Sequence, residues 1–129
     1  MSDSETNMAN ALVTLQAQIG DSREPSDWFE ITQERVNDYA DVSMDHQWIH
    51  VDVEKSRTDS PFGTTIAHGF LTLVLMPKMR GKAAYELTGF NSVLNYGSDK
   101  LRFTGPVPVG SSVHSHNRVR EVSASPKGT

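Results

Sequence analysis

His68-Gly69-Phe70-Leu71-Thr72-Leu73-Val74-Leu75-Met76-Pro77-Lys78-Met79 is the densest apolar stretch of the chain, and its character continues through Ala83, Ala84, Tyr85 and Leu87. Apolar side chains on every side of its first half predict a buried helix from His68 to about Leu87. Pro77 should kink it, because proline cannot donate the intrahelical hydrogen bond, and Gly81 should weaken it. The rest of the chain is expected to pack around this element.

Upstream, Val51 to Gly63 is polar and irregular, punctuated by Pro61 and Gly63, with Asp52 to Ser56 expected to form one helical turn. Further back, Thr32 is a good N-cap for a helix over Gln33 to Val42 that buries Val36, Tyr39 and Ala40. Trp28-Phe29-Glu30-Ile31 reads as a short strand after the loop at Pro25. Leu12, Leu15 and Ile19 recur at helical spacing, so Ala11 to Ile19 is expected to be a short amphipathic helix ending at Gly20. Met1 to Asn10 reads as a frayed polar leader. Downstream of Gly89 the pattern turns β-rich, with strands expected in Phe90 to Tyr96, Lys100 to Phe103 and Ser111 to Val122. Helices first and strands afterwards predict an α+β fold in which an antiparallel sheet wraps a long helix. The expected organisation is a leader and short helix over 1–27 and one domain over 28–129.

The totals bound the function. A chain of 129 residues fits a single domain with a real core. The absence of cysteine excludes disulfides, thiol catalysis and cysteine-ligated zinc. A net charge of -4 offers no basic face for nucleic acid. No apolar run approaches the roughly 18 to 20 residues that span a bilayer, and the N-terminus lacks a secretory pattern, so a soluble, cytoplasmic protein is expected.

Chemistry concentrates in Asp45-His46-Gln47-Trp48-Ile49-His50. Adding water to a double bond conjugated to a carbonyl requires a base for the water, an acid for the α-carbon and donors for the enolate oxygen. Asp45 and His50 can share the first two roles around one water, since histidine titrates near neutrality and aspartate can orient it or exchange protons with it. Backbone N–H groups at Gly69 can supply the third, because glycine permits close approach of a ligand. Both residues are expected outside the hydrophobic core.

Tyr39 to His50, followed by Ser56, resembles the signature of the (R)-specific enoyl-CoA hydratases, the hydratase 2 or MaoC-like dehydratase family of hot-dog proteins. Tyr39, Val42, Ser43, Asp45, Ile49, His50 and Ser56 match in register. Met44 stands where the family has Gly, Gln47 where it has Asn, and Trp48 where it has Pro; the variant is similar to that of nodulation-protein-N-type members. Ile66-Ala67-His68-Gly69-Phe70-Leu71 resembles the family's entry into the hot-dog helix. Asn95-Tyr96-Gly97, Lys100-Leu101-Arg102-Phe103 and Pro106-Val107-Pro108-Val109-Gly110 resemble its strand-and-turn pattern. The resemblance covers roughly Trp28 to Val122, and it implies a hot-dog sheet short of the family's last strands. It implies reversible hydration of a trans-2-enoyl-CoA to an (R)-3-hydroxyacyl-CoA, with Asp45 and His50 activating water and the Gly69 amide on the thioester oxygen. It implies no metal or redox cofactor, coenzyme A only as part of an acyl-CoA thioester substrate, and a homodimer.

Other readings stand beside these. Asp45 and His50 can be a cap and a packing histidine, and His46 and Asp52 can join them in a metal site. His68 can be a second acid/base or can order the start of the helix through hydrogen bonds. Trp48 and Phe62 can line an acyl channel or fill the core. Lys78, Arg80 and Lys82 can meet coenzyme A phosphates or form a solvated face. A hot-dog thioesterase and a non-catalytic acyl-CoA-binding or interaction module are the competing functions.

Overall fold

The computed structural model describes residues 3–20, 24–80 and 92–125. The chain forms two compact units, one from residues 1–26, 80–99 and 116–129, the other from Asp27–Met79 and Lys100–Ser115.

In the first unit, helix α1 runs Asp3–Gln16. It begins inside the stretch expected to fray, because Asp3 and Glu5 place negative charge in a first turn that favours it. Gly20 follows in the left-handed region, at φ 86°, and its N–H donates to the Val119 carbonyl at 2.9 Å. Ile19 and Val119 form an isolated parallel bridge.

The second unit holds the core. Strand β1, Phe29–Glu30, pairs antiparallel with β2, Ser112–Val113, in the register Phe29 to Val113 and Glu30 to Ser112. Ile31 extends the pairing, donating to the Ser111 carbonyl at 2.8 Å and accepting from Gly110 N–H at 2.7 Å. Helix α2 then runs Gln33–Ser43, with the Thr32 side chain accepting from Arg35 N–H as expected of its N-cap. Its Val36 and Ala40 are fully buried, and Tyr39 is half-buried. Short helices α3 (Trp48–Val51) and α4 (Val53–Asp59) follow, the second capped by the Asp52 carboxylate on Lys55 N–H at 3.0 Å. Ser56 is fully buried and donates to the Trp48 carbonyl, so only a small side chain fits where α4 packs on α3.

Thr65 to Ala67 forms a second seam. Ala67 N–H donates to the Val107 carbonyl at 2.8 Å, and Val109 N–H to the Thr65 carbonyl at 2.9 Å. Ile66 N–H donates in turn to the Ile49 carbonyl at 3.1 Å, which fastens this segment to α3. Helix α5, Gly69–Val74, sets Leu71 against Ile31, Val36 and Ala67, with Tyr39, Leu75, Val107 and Val113 packed around them.

The expected long helix is therefore corrected within the described residues: it ends at Val74 and passes through turns to Met79. Pro77 disfavours helical backbone at the residue before it and removes a donor, so the helix stops short of it instead of kinking through it. Ala83, Ala84, Tyr85, Leu87 and the start of the Phe90 to Tyr96 strand lie outside the described residues. Lys100 to Phe103 carries no regular structure, and of Ser111 to Val122 only Ser112–Val113 is strand. No helix among the described residues is long and apolar enough to cross a membrane.

Candidate active site

The turn between α2 and α3 begins at Met44, the C-cap of α2, which adopts φ 61° and ψ 19°. That left-handed conformation is one glycine takes freely and a side chain resists. It lets the chain reverse so that Asp45 follows immediately. Asp45 N–H donates to Ser43 Oγ, and Asp45 Oδ1 accepts from Gln47 N–H at 3.3 Å, so the exposed carboxylate is oriented by its own turn.

His50 sits in α3 and is buried as a polar residue, outside the hydrophobic core cluster of Ile31, Val36, Ala67 and Leu71. Its Nδ1 lies 2.7 Å from the Ile66 carbonyl. A carbonyl only accepts, so Nδ1 carries the proton and Nε2 of the neutral ring keeps a lone pair. Gln33 holds the same residue from behind. Its Nε2 donates to the His50 carbonyl at 2.8 Å, and its Oε1 accepts from Thr65 Oγ1 at 2.6 Å.

His68 precedes α5 but makes no capping bond with its side chain. Its Nε2 lies 2.9 Å from the Asp45 carbonyl instead, so it orders the Asp45 turn and not the helix start. The His68 ring stacks on His50 with centroids 3.8 Å apart, and Tyr39 meets it edge-on at 4.8 Å. An Asp45 carboxylate oxygen and one ring nitrogen from each of His50 and His68 lie within 4.8 Å of one another. Such a donor set suits proton transfer and would also suit a divalent cation.

A cavity of about 370 Å³ opens beside these rings. His50, His68, Gly69 and Phe62 line it, together with Thr72 and the Phe103 to Val107 segment. Gly69 is the first residue of α5, where backbone N–H groups lack intrahelical acceptors. A Cβ at Gly69 would approach the Phe103 ring to 2.8 Å, so this position is kept bare by the aromatic wall packed on it. Trp48 starts α3 with Lys55 Nζ 4.8 Å over its ring, and it is not among the lining residues. His46 pairs with Asp41 at 2.8 Å and Asp52 caps α4, so neither joins the cluster. Lys78 and Arg80 are exposed, and Lys82 lies outside the described residues.

Gln33, Thr65 and Phe103 were not singled out by sequence as parts of the site. Gln33 reads as an ordinary first-turn residue, and Phe103 reaches Gly69 across 34 positions of chain, so no local pattern marks either.

Comparison with known proteins adds four likenesses. The model of the MaoC like domain matches residues 14–127. The chain is 46% identical over 119 residues to 3-hydroxyacyl-thioester dehydratase Z of Mycobacterium tuberculosis, covering 92% of this chain and 78% of that protein. It is 41% identical over 103 residues to Nodulation protein N of Rhizobium leguminosarum bv. viciae, covering 80% of this chain and 64% of that one. Among solved structures, the unliganded R-hydratase PhaJ1 of Pseudomonas aeruginosa matches with a TM-score of 0.62 at 28% identity, over 84% of this chain. The chain spans 64% of the length of that structure.

Proposed function

The chain belongs to the MaoC-like dehydratase family of hot-dog hydro-lyases, and from that premise we propose that it is an (R)-specific enoyl-CoA hydratase, adding water reversibly to a trans-2-enoyl-CoA to give an (R)-3-hydroxyacyl-CoA. The observation that carries this reading is the convergence of the Asp45 carboxylate with His50, a histidine whose Nδ1–H is committed to Ile66, beside a cavity that Gly69 borders. The PhaJ1 likeness supports the (R) outcome.

Water held between Asp45 and His50 gives one proton to the pair, and its oxygen bonds to C3. The C2=C3 π electrons move onto C2 and the thioester oxygen, where the Gly69 N–H meets the developing charge. C2 then takes the proton back from the pair. One C–O and one C–H bond form, one water is consumed, and the pair ends as it began. Dehydration is the same path reversed.

Phe62 would border the acyl chain, and His68 would support the reacting centre. We propose no metal or redox cofactor, with coenzyme A entering only as part of the substrate. Large apolar side chains exposed on and beside α5, Phe70 at 57% and Val74 at 56%, support a homodimer that covers them. Crotonyl-CoA tests the reading: loss of the conjugated-enoyl absorbance without release of free thiol is expected. Thiol release would instead indicate a thioesterase, and binding without either signal a non-catalytic module.

A further inference from the structure

His68 is 4% exposed, and its Nδ1 is the one buried side-chain polar atom among the described residues that has no hydrogen-bond partner. The other ring nitrogen is 2.9 Å from the Asp45 carbonyl, which can only accept, so Nε2 carries the proton and Nδ1 is a bare acceptor. A buried acceptor left unpaired is destabilising, and a donor arriving from the cavity would relieve it. His68 lines that cavity and stacks face to face on His50, and one of its ring nitrogens lies within 4.8 Å of an Asp45 carboxylate oxygen and of a His50 ring nitrogen. The unpaired nitrogens of His68 and His50 and the Asp45 carboxylate are all acceptors. The matching ligand is a hydroxyl or water, which brings protons, and not the thioester carbonyl, which brings none.

We propose that His68 is a third catalytic residue of the hydration centre: Nδ1 accepts the hydrogen bond of the water proton that is not transferred, and so aims the oxygen lone pair at C3. This inference rests on the hydratase reading. In hydration, water gives one proton to the Asp45 and His50 pair and keeps the other on His68 Nδ1, where it becomes the hydrogen of the product's 3-hydroxyl. In dehydration, the substrate 3-hydroxyl donates to Nδ1 while its oxygen receives a proton from the pair and leaves as water. His68 thereby also reads the 3-position of the substrate, favouring a hydroxyl over a keto group.

Two substitutions separate this role from support of the Asp45 turn. His68→Gln can still donate to the Asp45 carbonyl from its terminal amide but lacks the Nδ1 acceptor. His68→Asn places a polar atom near Nδ1 and loses the bond to Asp45. With crotonyl-CoA, His68→Gln is expected to lower kcat about 100-fold, the scale of a misplaced reactant, with KM little changed because the enoyl substrate does not touch Nδ1. With (R)-3-hydroxybutyryl-CoA, KM should rise as well. Near wild-type kcat in folded His68→Gln would overturn the proposal and leave the hydratase reading standing. Absence of turnover in the wild type would overturn both. Should the variants fail to fold, the ring nitrogen spectrum of wild-type His68 decides: a proton on Nε2, with Nδ1 responding to added (R)-3-hydroxybutyryl-CoA, supports the role, and a proton on Nδ1 overturns it.

Discussion

Met44 holds its left-handed conformation at a cost of about 1 kcal/mol relative to glycine, because its Cβ crowds the backbone there. Met44→Gly is therefore expected to raise the unfolding free energy, measured by denaturant titration, by about 0.5 to 1 kcal/mol without moving Asp45; a fall in stability would mean the side chain contributes packing that its exposure does not suggest. At His50 the informative change is asparagine, since its amide can still donate to the Ile66 carbonyl while offering no base. Hydration should fall by about 100-fold or more in His50→Asn, and likewise in Asp45→Asn, with the thermal transition kept. His50→Ala would confuse the matter by leaving the part-buried Ile66 carbonyl without its imidazole partner. At Gly69, an added methyl group would meet Cδ2 and Cγ of the Phe103 ring at 2.8 and 2.9 Å, so this wall of the cavity must shift. Gly69→Ala should accordingly lower kcat/KM by about tenfold, roughly 1.4 kcal/mol of barrier, more than it lowers stability.

Among the elements, α2 is the scaffold of the site, because its first turn carries both the Thr32 cap and the Gln33 amide that ties His50 to Thr65. Thr32→Ala should cost about 1 kcal/mol in an unfolding titration. Gln33→Ala should lower turnover as well as stability, since the His50 carbonyl and the Thr65 hydroxyl lose their shared partner. These elements differ in how far sequence reveals them. Helix α2 is legible because the cap, the charge in its first turn and the spacing of Val36 and Ala40 all agree. The proximity of Asp45 and His50 is legible because both lie in one short motif. Helix α3 is only four residues long, and the seam between Thr65 to Ala67 and Val107 to Val109 joins distant segments, so neither leaves a local pattern. The helix at Gly69 is over-extended by its apolar run, because apolar residues continue in the sequence past the point where Pro77 ends the hydrogen-bond ladder. The role of His68 is hidden for the same reason as the seam: its partner, Asp45, is 23 residues away.

For the whole molecule, the apolar surface around α5 bears on assembly, and light scattering is expected to give twice the chain mass of 14.3 kDa. A monomer with Phe70 and Val74 left in water would contradict the proposed homodimer. The Asp45, His50 and His68 cluster bears on cofactor use. Turnover should survive dialysis against a chelator, and loss restored by a divalent cation would reassign those three residues to metal binding. Both experiments are secondary to the chemistry itself. The proposed chemistry is addition of water to a conjugated enoyl thioester through Asp45 and His50. It is tested most directly by following crotonyl-CoA absorbance and free thiol in parallel for the wild type and Asp45→Asn. Enoyl loss without thiol is expected in the wild type and at least a 100-fold slower loss in the variant; equal rates in the two, or thiol release matching enoyl loss, would overturn the proposed hydration.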